Sequence, residues 1–202
     1  KASSICSAFN PARRNASNTE TSSARCFASY HSWNAASGLV RRSSIGVLAT
    51  SRSASAVVPG ASNQAFGVDG AFSFLQDLYA GGYYARSQTQ GHNRDNDSYQ
   101  GRLDYNADRY GVKLDYLKVG DNFNPEVGFT RRDNFERSFA SARFSPRPKG
   151  RSRIRKWAVE GTLEYLVNGS SQLETRQRGG RLAVEFQNSD LFTVEASNNY
   201  EL

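Results

Sequence analysis

The chain has 202 residues, 26 Lys and Arg against 19 Asp and Glu, a formal net charge of +7, 17 glycines, 12% aromatic residues and no Met. That size suits one domain or a piece of a larger one, and the lack of even an initiator Met is expected of a processed or truncated chain. No run of about 18 apolar residues is present, which excludes a membrane-spanning helix but not a transmembrane β-barrel, whose strands need only about 10 residues each.

The charge is unevenly spread. Residues 1–60 carry seven Lys and Arg against the single acid Glu20, whereas the other 142 carry nineteen against eighteen. A Ser/Arg-rich segment of that kind can touch anionic surfaces non-specifically, but no basic recognition element falls in the patterned part, so no specific nucleic acid is expected. Residues 1–38 show neither a period of two nor one of 3.6 and are expected to be disordered or atypical. Cys6 and Cys26 lie there and suffice for one disulfide but fix neither a fold nor a metal site. A secretory signal is not visible, so an exported protein would carry it outside this chain.

From residue 39 onward the chain alternates, and 39–202 reads as one domain. The first predicted strand is 44–51 (SIGVLATS), followed by a Ser/Ala/Gly/Pro loop. The second, 64–74, sets Phe66, Val68, Phe72 and Phe74 against Gly67, Asp69, Ala71 and Ser73. A period of two assigns the two sets to opposite faces of a strand. The third, 78–87, has faces that the sequence does not tell apart. The fourth, 98–106, opposes Tyr99, Leu103 and Tyr105 to Gln100, Arg102 and Asp104, and the fifth, 109–119, opposes Tyr110, Val112, Leu114 and Tyr116 to Lys113 and Asp115. A sixth strand at 137–145 precedes Pro146 and Pro148, which cannot donate to a ladder and require a turn. The seventh, 154–166, sets Trp157, Val159, Leu163 and Tyr165 against Lys156, Glu160, Thr162 and Glu164. Asn168-Gly169 favours a tight hairpin, the eighth strand, 172–186, ends with Leu182, Val184 and Phe186 opposed to Arg181 and Glu185, and the ninth covers 191–197.

The connections at 75–77 and 106–108 are short, and those at 87–98 and 120–136 are long and polar. Long connections on one edge and short ones on the other are the pattern of an outer-membrane meander. The expected fold is therefore all-β: an antiparallel meander forming part of a transmembrane β-barrel, a fragment of about eight or nine strands. Strands of 9 to 13 residues, longer than the usual mode of about 5 or 6, and tyrosines near strand ends favour that reading over a soluble sandwich. In a barrel the aromatic stripes face lipid, and Asp69, Arg102, Asp104, Lys113, Asp115, Arg143, Glu160, Glu164, Arg181 and Glu185 face the lumen as a ladder of mixed charge.

The stretches RRSSIGVLAT (41–50), FGVDGAFSF (66–74), VGDNFNPEVGFTRRDNF (119–135) and ARFSPRP (142–148) resemble the C-terminal region of the bacterial domain-of-unknown-function family 5916. Its members look like outer-membrane β-barrels, often preceded by a module similar to family 9 carbohydrate-binding domains. The resemblance covers roughly 39–202, and Asp121, Asn122, Phe123, Asn124, Pro125, Glu126, Arg131 and Arg132 match its most specific segment. The carbohydrate-binding-like module and the later barrel strands are absent here, and 1–38 does not match what is expected before RRSS. The family has no catalytic motif to carry over.

Catalytic chemistry has little support. His31 and His92 have no metal-ligand companions at workable spacing. Asp104 and Asp115 lie on neighbouring strands, but Arg102 and Lys113 share their faces, so charge pairing is the simpler expectation. Asn93, Asp95 and Asp97 in one loop, and Asp121, Asn122, Asn124 and Glu126 in another, offer hard oxygen donors without an EF-hand spacing. The loop 121–132 either folds inward as a constriction or lies outside as a contact surface. The expectation is a non-enzymatic protein of the bacterial outer membrane, a channel or uptake-associated barrel for glycans or other small solutes, with outer-membrane lipid as its partner and no metal or cofactor. The alternative is a soluble β-rich domain that binds a ligand or protein through its aromatic face.

Overall fold

The structure is a computed structural model and describes residues 24–33, 40–56, 58, 60–91, 94–127, 130, 132–148 and 153–202. Ten strands follow in chain order: β1 (Ala24–Trp33), β2 (Val40–Arg52), β3 (Asn63–Phe74), β4 (Leu78–Thr89), β5 (Asp97–Asn106), β6 (Tyr110–Val119), β7 (Phe135–Phe144), β8 (Ile154–Asn168), β9 (Leu173–Phe186) and β10 (Leu191–Glu201). They make a single antiparallel sheet in the order β1 to β10, each strand paired with its neighbour in sequence. The described residues include no helix. β1 and β10 each have one paired side, so the sheet is open.

Two expectations need correcting. The nine strands expected from residue 39 onward are present as β2 to β10, and a tenth precedes them: Ala24–Trp33, inside the segment expected to be unstructured, pairs along its length with β2 from Ala24↔Arg52 to Trp33↔Ser43. Its sequence, ARCFASYHSW, mixes small and aromatic residues without a contrast between faces, and the partner strand supplies the ladder that propensity does not. The alternation of connection lengths also fails in the second half. The β7–β8 connection on the short edge spans 145–153, and the β8–β9 connection on the long edge is only 169–172. At the latter, Asn168 ends β8, and its carboxamide oxygen accepts from the Ser170 and Gln172 N–H groups at 3.0 and 2.9 Å. Ser171 takes the left-handed position (φ 60°) there, rather than Gly169.

Register sorts the side chains into two faces, since residues directly opposite each other across a ladder share a face. One face carries Val68, Tyr84, Tyr99, Leu103, Leu114, Tyr116, Val159, Leu163, Tyr165, Leu182 and Val194. It resolves the third predicted strand, placing Ala80, Gly82 and Tyr84 here and Tyr79, Gly81 and Tyr83 opposite. Burial runs against the usual rule for soluble proteins. Among the described residues the buried apolar side chains are only Ala61, Val119 and Phe123, whereas Ser43, Asn63, Ser87, Thr89, Asn96, Ser98, Ser141 and Ser145 are buried. Val68, Leu114, Val159, Phe192 and Tyr110 are all more than two-fifths exposed.

Candidate functional site

The polar face holds every charged position predicted to share one surface. Asp69 lies opposite Tyr83, Arg102 opposite Asp115, Asp104 opposite Lys113, Arg143 opposite Glu160, and Glu160 opposite Arg181. Glu164 and Glu185 have the same parity on β8 and β9. Their interactions are short-range and mixed in sign. Arg102 Nη2 stands 3.5 Å from Asp104 Oδ2, Gln100 donates to Asp115 Oδ2 at 2.9 Å, and Ser141 donates to Glu160 Oε1 at 3.2 Å. Arg137 Nε lies 3.0 Å from Glu164, a charge contact without the alignment of a hydrogen bond, while Arg181 pairs with Glu195 at 3.2 Å and Glu185 with Arg155 at 2.8 Å. Asp104 and Asp115 each have a cation directly across the ladder, Lys113 and Arg102 respectively.

Arg143 has a different task from the one its parity suggests. Its guanidinium donates to the Asn106 carboxamide oxygen (2.9 Å), the Ala107 carbonyl (2.8 Å) and the Ser145 hydroxyl (2.6 Å). It clamps the β5–β6 turn. Gly111 makes room for it: a Cβ there would stand 3.1 Å from the Arg143 Nε.

At the opposite, long-loop edge the 120–127 segment folds inward, against polar-face residues at the ends of β3 and β4. Asn63, fully buried, donates to Thr89 Oγ1 (2.8 Å) and to the Asn124 carbonyl (2.9 Å), and its own oxygen accepts from Glu126 N–H (3.4 Å). Ser87 accepts from Asn124 N–H at 2.9 Å and donates to the Asn122 carbonyl at 3.3 Å. Asn122 bridges to the neighbouring loop, donating from its backbone to Asp95 O (2.9 Å) and from its side chain to Arg94 O (2.8 Å). Phe123 in the same segment is buried, and Asp121 is exposed. The Glu126 carboxylate, 2% exposed, meets Arg52 at 3.4 Å, accepts from Ala56 N–H at 2.8 Å and is hydrogen-bonded by Ser55 Oγ. Three connections of the sheet, 53–62, 90–96 and 120–127, are thereby joined over one end of the polar face. Arg132 turns away from it, paired with Glu174 and stacked over Phe135 at 5.6 Å.

Arg131, His92, Asn93 and Cys6 lie outside the described residues, and His31 and Cys26 are placed only by their backbone in β1. Among the described residues no group of three or more His, Cys, Asp or Glu is arranged to hold a metal ion. Asn63, Ser87, Thr89 and Ser98 are polar-face residues that the sequence did not single out. Asn63 shares the parity of Asp69 and Ser98 that of Arg102 and Asp104, which was the available signal, whereas the one charged residue of β4, Arg86, has the parity opposite to Ser87 and Thr89 and gave none.

The apolar face is ordered too. At the turn end Tyr110 stacks on Phe144 (5.3 Å between ring centroids), and Phe144 meets Trp157 edge-on at 5.5 Å. At the loop end a line of tyrosines crosses the sheet, from Tyr84 opposite Tyr99, through Tyr116 (6.0 Å from Tyr99), to Tyr165 opposite Arg176 and Arg176 opposite Tyr200. Between the two aromatic bands lie aliphatic and small residues. Gly70, Gly82, Gly101, Ala80 and Ala140 floor a shallow groove of about 900 Å³ walled by Val68, Phe72, Leu103, Leu114 and Leu163.

Set against family models, curated proteins and solved structures, the chain gives no match. Function therefore rests on the chain's own two faces: one aromatic and aliphatic, open to its surroundings, the other charged and hydroxyl-rich, closed at one end by loops.

Proposed function

We propose that this chain is part of a non-enzymatic outer-membrane β-barrel, a channel or uptake-associated protein for glycans or other small polar solutes, as the resemblance to family 5916 also implies. The carrying observation is the inverted burial: hydroxyls and carboxamides are enclosed while aliphatic side chains, flanked by aromatic bands at both strand ends, are exposed. Aromatic bands on either side of an apolar belt match the two interfaces of a bilayer. Strands of 10 to 15 residues are long enough; ten residues rising about 3.3 Å each at a tilt of about 40° cover roughly 25 Å, the height of such a belt. The ladder of alternating charge and the inward 120–127 loop then line and narrow the aqueous side, which suits polar, uncharged solutes such as sugars. A barrel further requires that both sheet edges be paired, since unpaired backbone groups in hydrocarbon cost several kcal/mol each.

The apolar groove favours a second reading, a soluble sheet that binds an apolar ligand on this face. One experiment separates the two: the chain is refolded with and without detergent micelles and run heated and unheated on a detergent gel, alongside circular dichroism. Folding only in micelles, with a shift in migration on heating, is the expected outcome. A monodisperse β-rich protein in plain buffer would reject the barrel and select the groove.

A further inference from the structure

The apolar face is not uniformly apolar. β9 presents Arg176, Arg178, Gly180, Leu182 and Val184 in succession on that face, so beyond the register shift at Glu174 its first two outward positions paired with β8 at the loop end are both arginine. Three other cations of this end are occupied: Lys118 pairs with Glu136 at 3.2 Å, Arg132 pairs with Glu174, and Arg86 donates to Asn96 Oδ1 at 3.2 Å. Arg176 and Arg178 have no acidic partner among the described residues. Arg178 donates to the Tyr165 hydroxyl at 3.3 Å, and the Arg176 guanidinium lies over the Tyr200 ring at 5.7 Å, with its Nε buried and lacking an acceptor. Two residues apart on one strand face, the pair sits about 7 Å apart along the backbone, close enough for both forks to reach one tetrahedral anion.

We propose that Arg176 and Arg178, framed by Tyr165 and Tyr200, form a binding site for the phosphate of an anionic lipid headgroup. The inference rests on the membrane reading above, because that reading sets this rung at the level where apolar chains give way to headgroups. Charge complementarity selects the ligand: two uncompensated guanidinium groups, each able to engage phosphate oxygens through two N–H donors, at the border of an aliphatic belt that receives acyl chains. The tyrosines hold the guanidinium groups against the sheet by a cation–π contact and a hydrogen bond, which reduces the rotamer freedom lost on binding. A free anion satisfies only the arginines. A lipid satisfies the arginines and the belt below them.

The test uses the whole chain folded in zwitterionic micelles, with bound lipid counted by native mass spectrometry. Phosphatidic acid, phosphatidylcholine of the same acyl chains and inorganic phosphate are added separately and in competition. Retention of phosphatidic acid at least about tenfold above phosphatidylcholine is expected, as charge-assisted bidentate contacts imply. That preference should vanish in R176Q/R178Q, fall in the milder R178Q, and persist in R102Q on the polar face. Equal retention of the two lipids, or a preference untouched by both arginine variants, overturns the site. Displacement of phosphatidic acid by equimolar inorganic phosphate overturns the lipid as its ligand. A heat-modifiable protein without preference refutes this site alone, whereas a chain that folds without micelles refutes the membrane reading and the site with it.

Discussion

Asn63 ties β3 to β4 and to the 120–127 loop through a single side chain. Fully buried, it spends both ends of its carboxamide on Thr89, Asn124 and Glu126, so it fixes the 120–127 loop against β3 and β4. Asn63→Ala leaves those partners unsatisfied, at a cost of about 1–3 kcal/mol. Amide hydrogen exchange should accelerate across 122–126 and leave the centres of β5 to β8 protected; uniform acceleration would show that the loop and sheet unfold together. Leu75 is the opposite case. In the three-residue β3–β4 turn it holds φ at 55° with its side chain exposed, a left-handed conformation that favours glycine. Leu75→Gly removes a strain of about 1 kcal/mol and should raise the denaturant midpoint, whereas a lowered midpoint would mean that the exposed leucine contributes through packing.

At the scale of the strand, parity is the property that matters, and it was legible in the sequence wherever the two faces differ in chemistry. Leu103 against Asp104, or Leu163 against Glu164, announces both the strand and its orientation. β1 was not legible because Ala, Ser, Cys and His alternate there without contrast, and β4 gave a strand but not its faces because Tyr and Gly occur on both. The loop ties were hidden for another reason: Glu126 and Ser55 are 71 residues apart, and nothing local to either marks the other. Arg143 was assigned to the right face but to the wrong task, since its partners are carbonyls of a turn that parity does not specify. Parity also predicts an asymmetry between faces. Leu114→Arg places a charge mid-strand on the apolar face, costing about 2–4 kcal/mol at a bilayer midplane, while Lys113→Leu, one residue away, removes a charge from the polar face. The heat-modifiable fraction should fall sharply for the first and little for the second. Equal losses would deny that the two faces meet different solvents.

Over the whole molecule, the open edges dominate. β10 is exposed along its entire length, with Phe192, Val194 and Tyr200 on its apolar face, and carries neither proline nor lysine to discourage pairing. The isolated 202-residue chain in micelles should therefore associate through its edges, giving a protein mass above one copy by light scattering. A strictly monomeric species would require some other cover for those ladder groups.

The neighbour-to-neighbour order of the sheet also bears on how the chain acquires its shape. Each hairpin closes a loop of modest length, so the meander can grow by adding one strand at a time, with little entropy to overcome at each step. The bonds from Glu126 to Arg52, Ser55 and Ala56 break that pattern, joining positions 70 to 74 residues apart. They form only after β2 to β6 stand in register, which makes the seating of this loop a late event and its retention a report that the strands beneath it are correctly aligned.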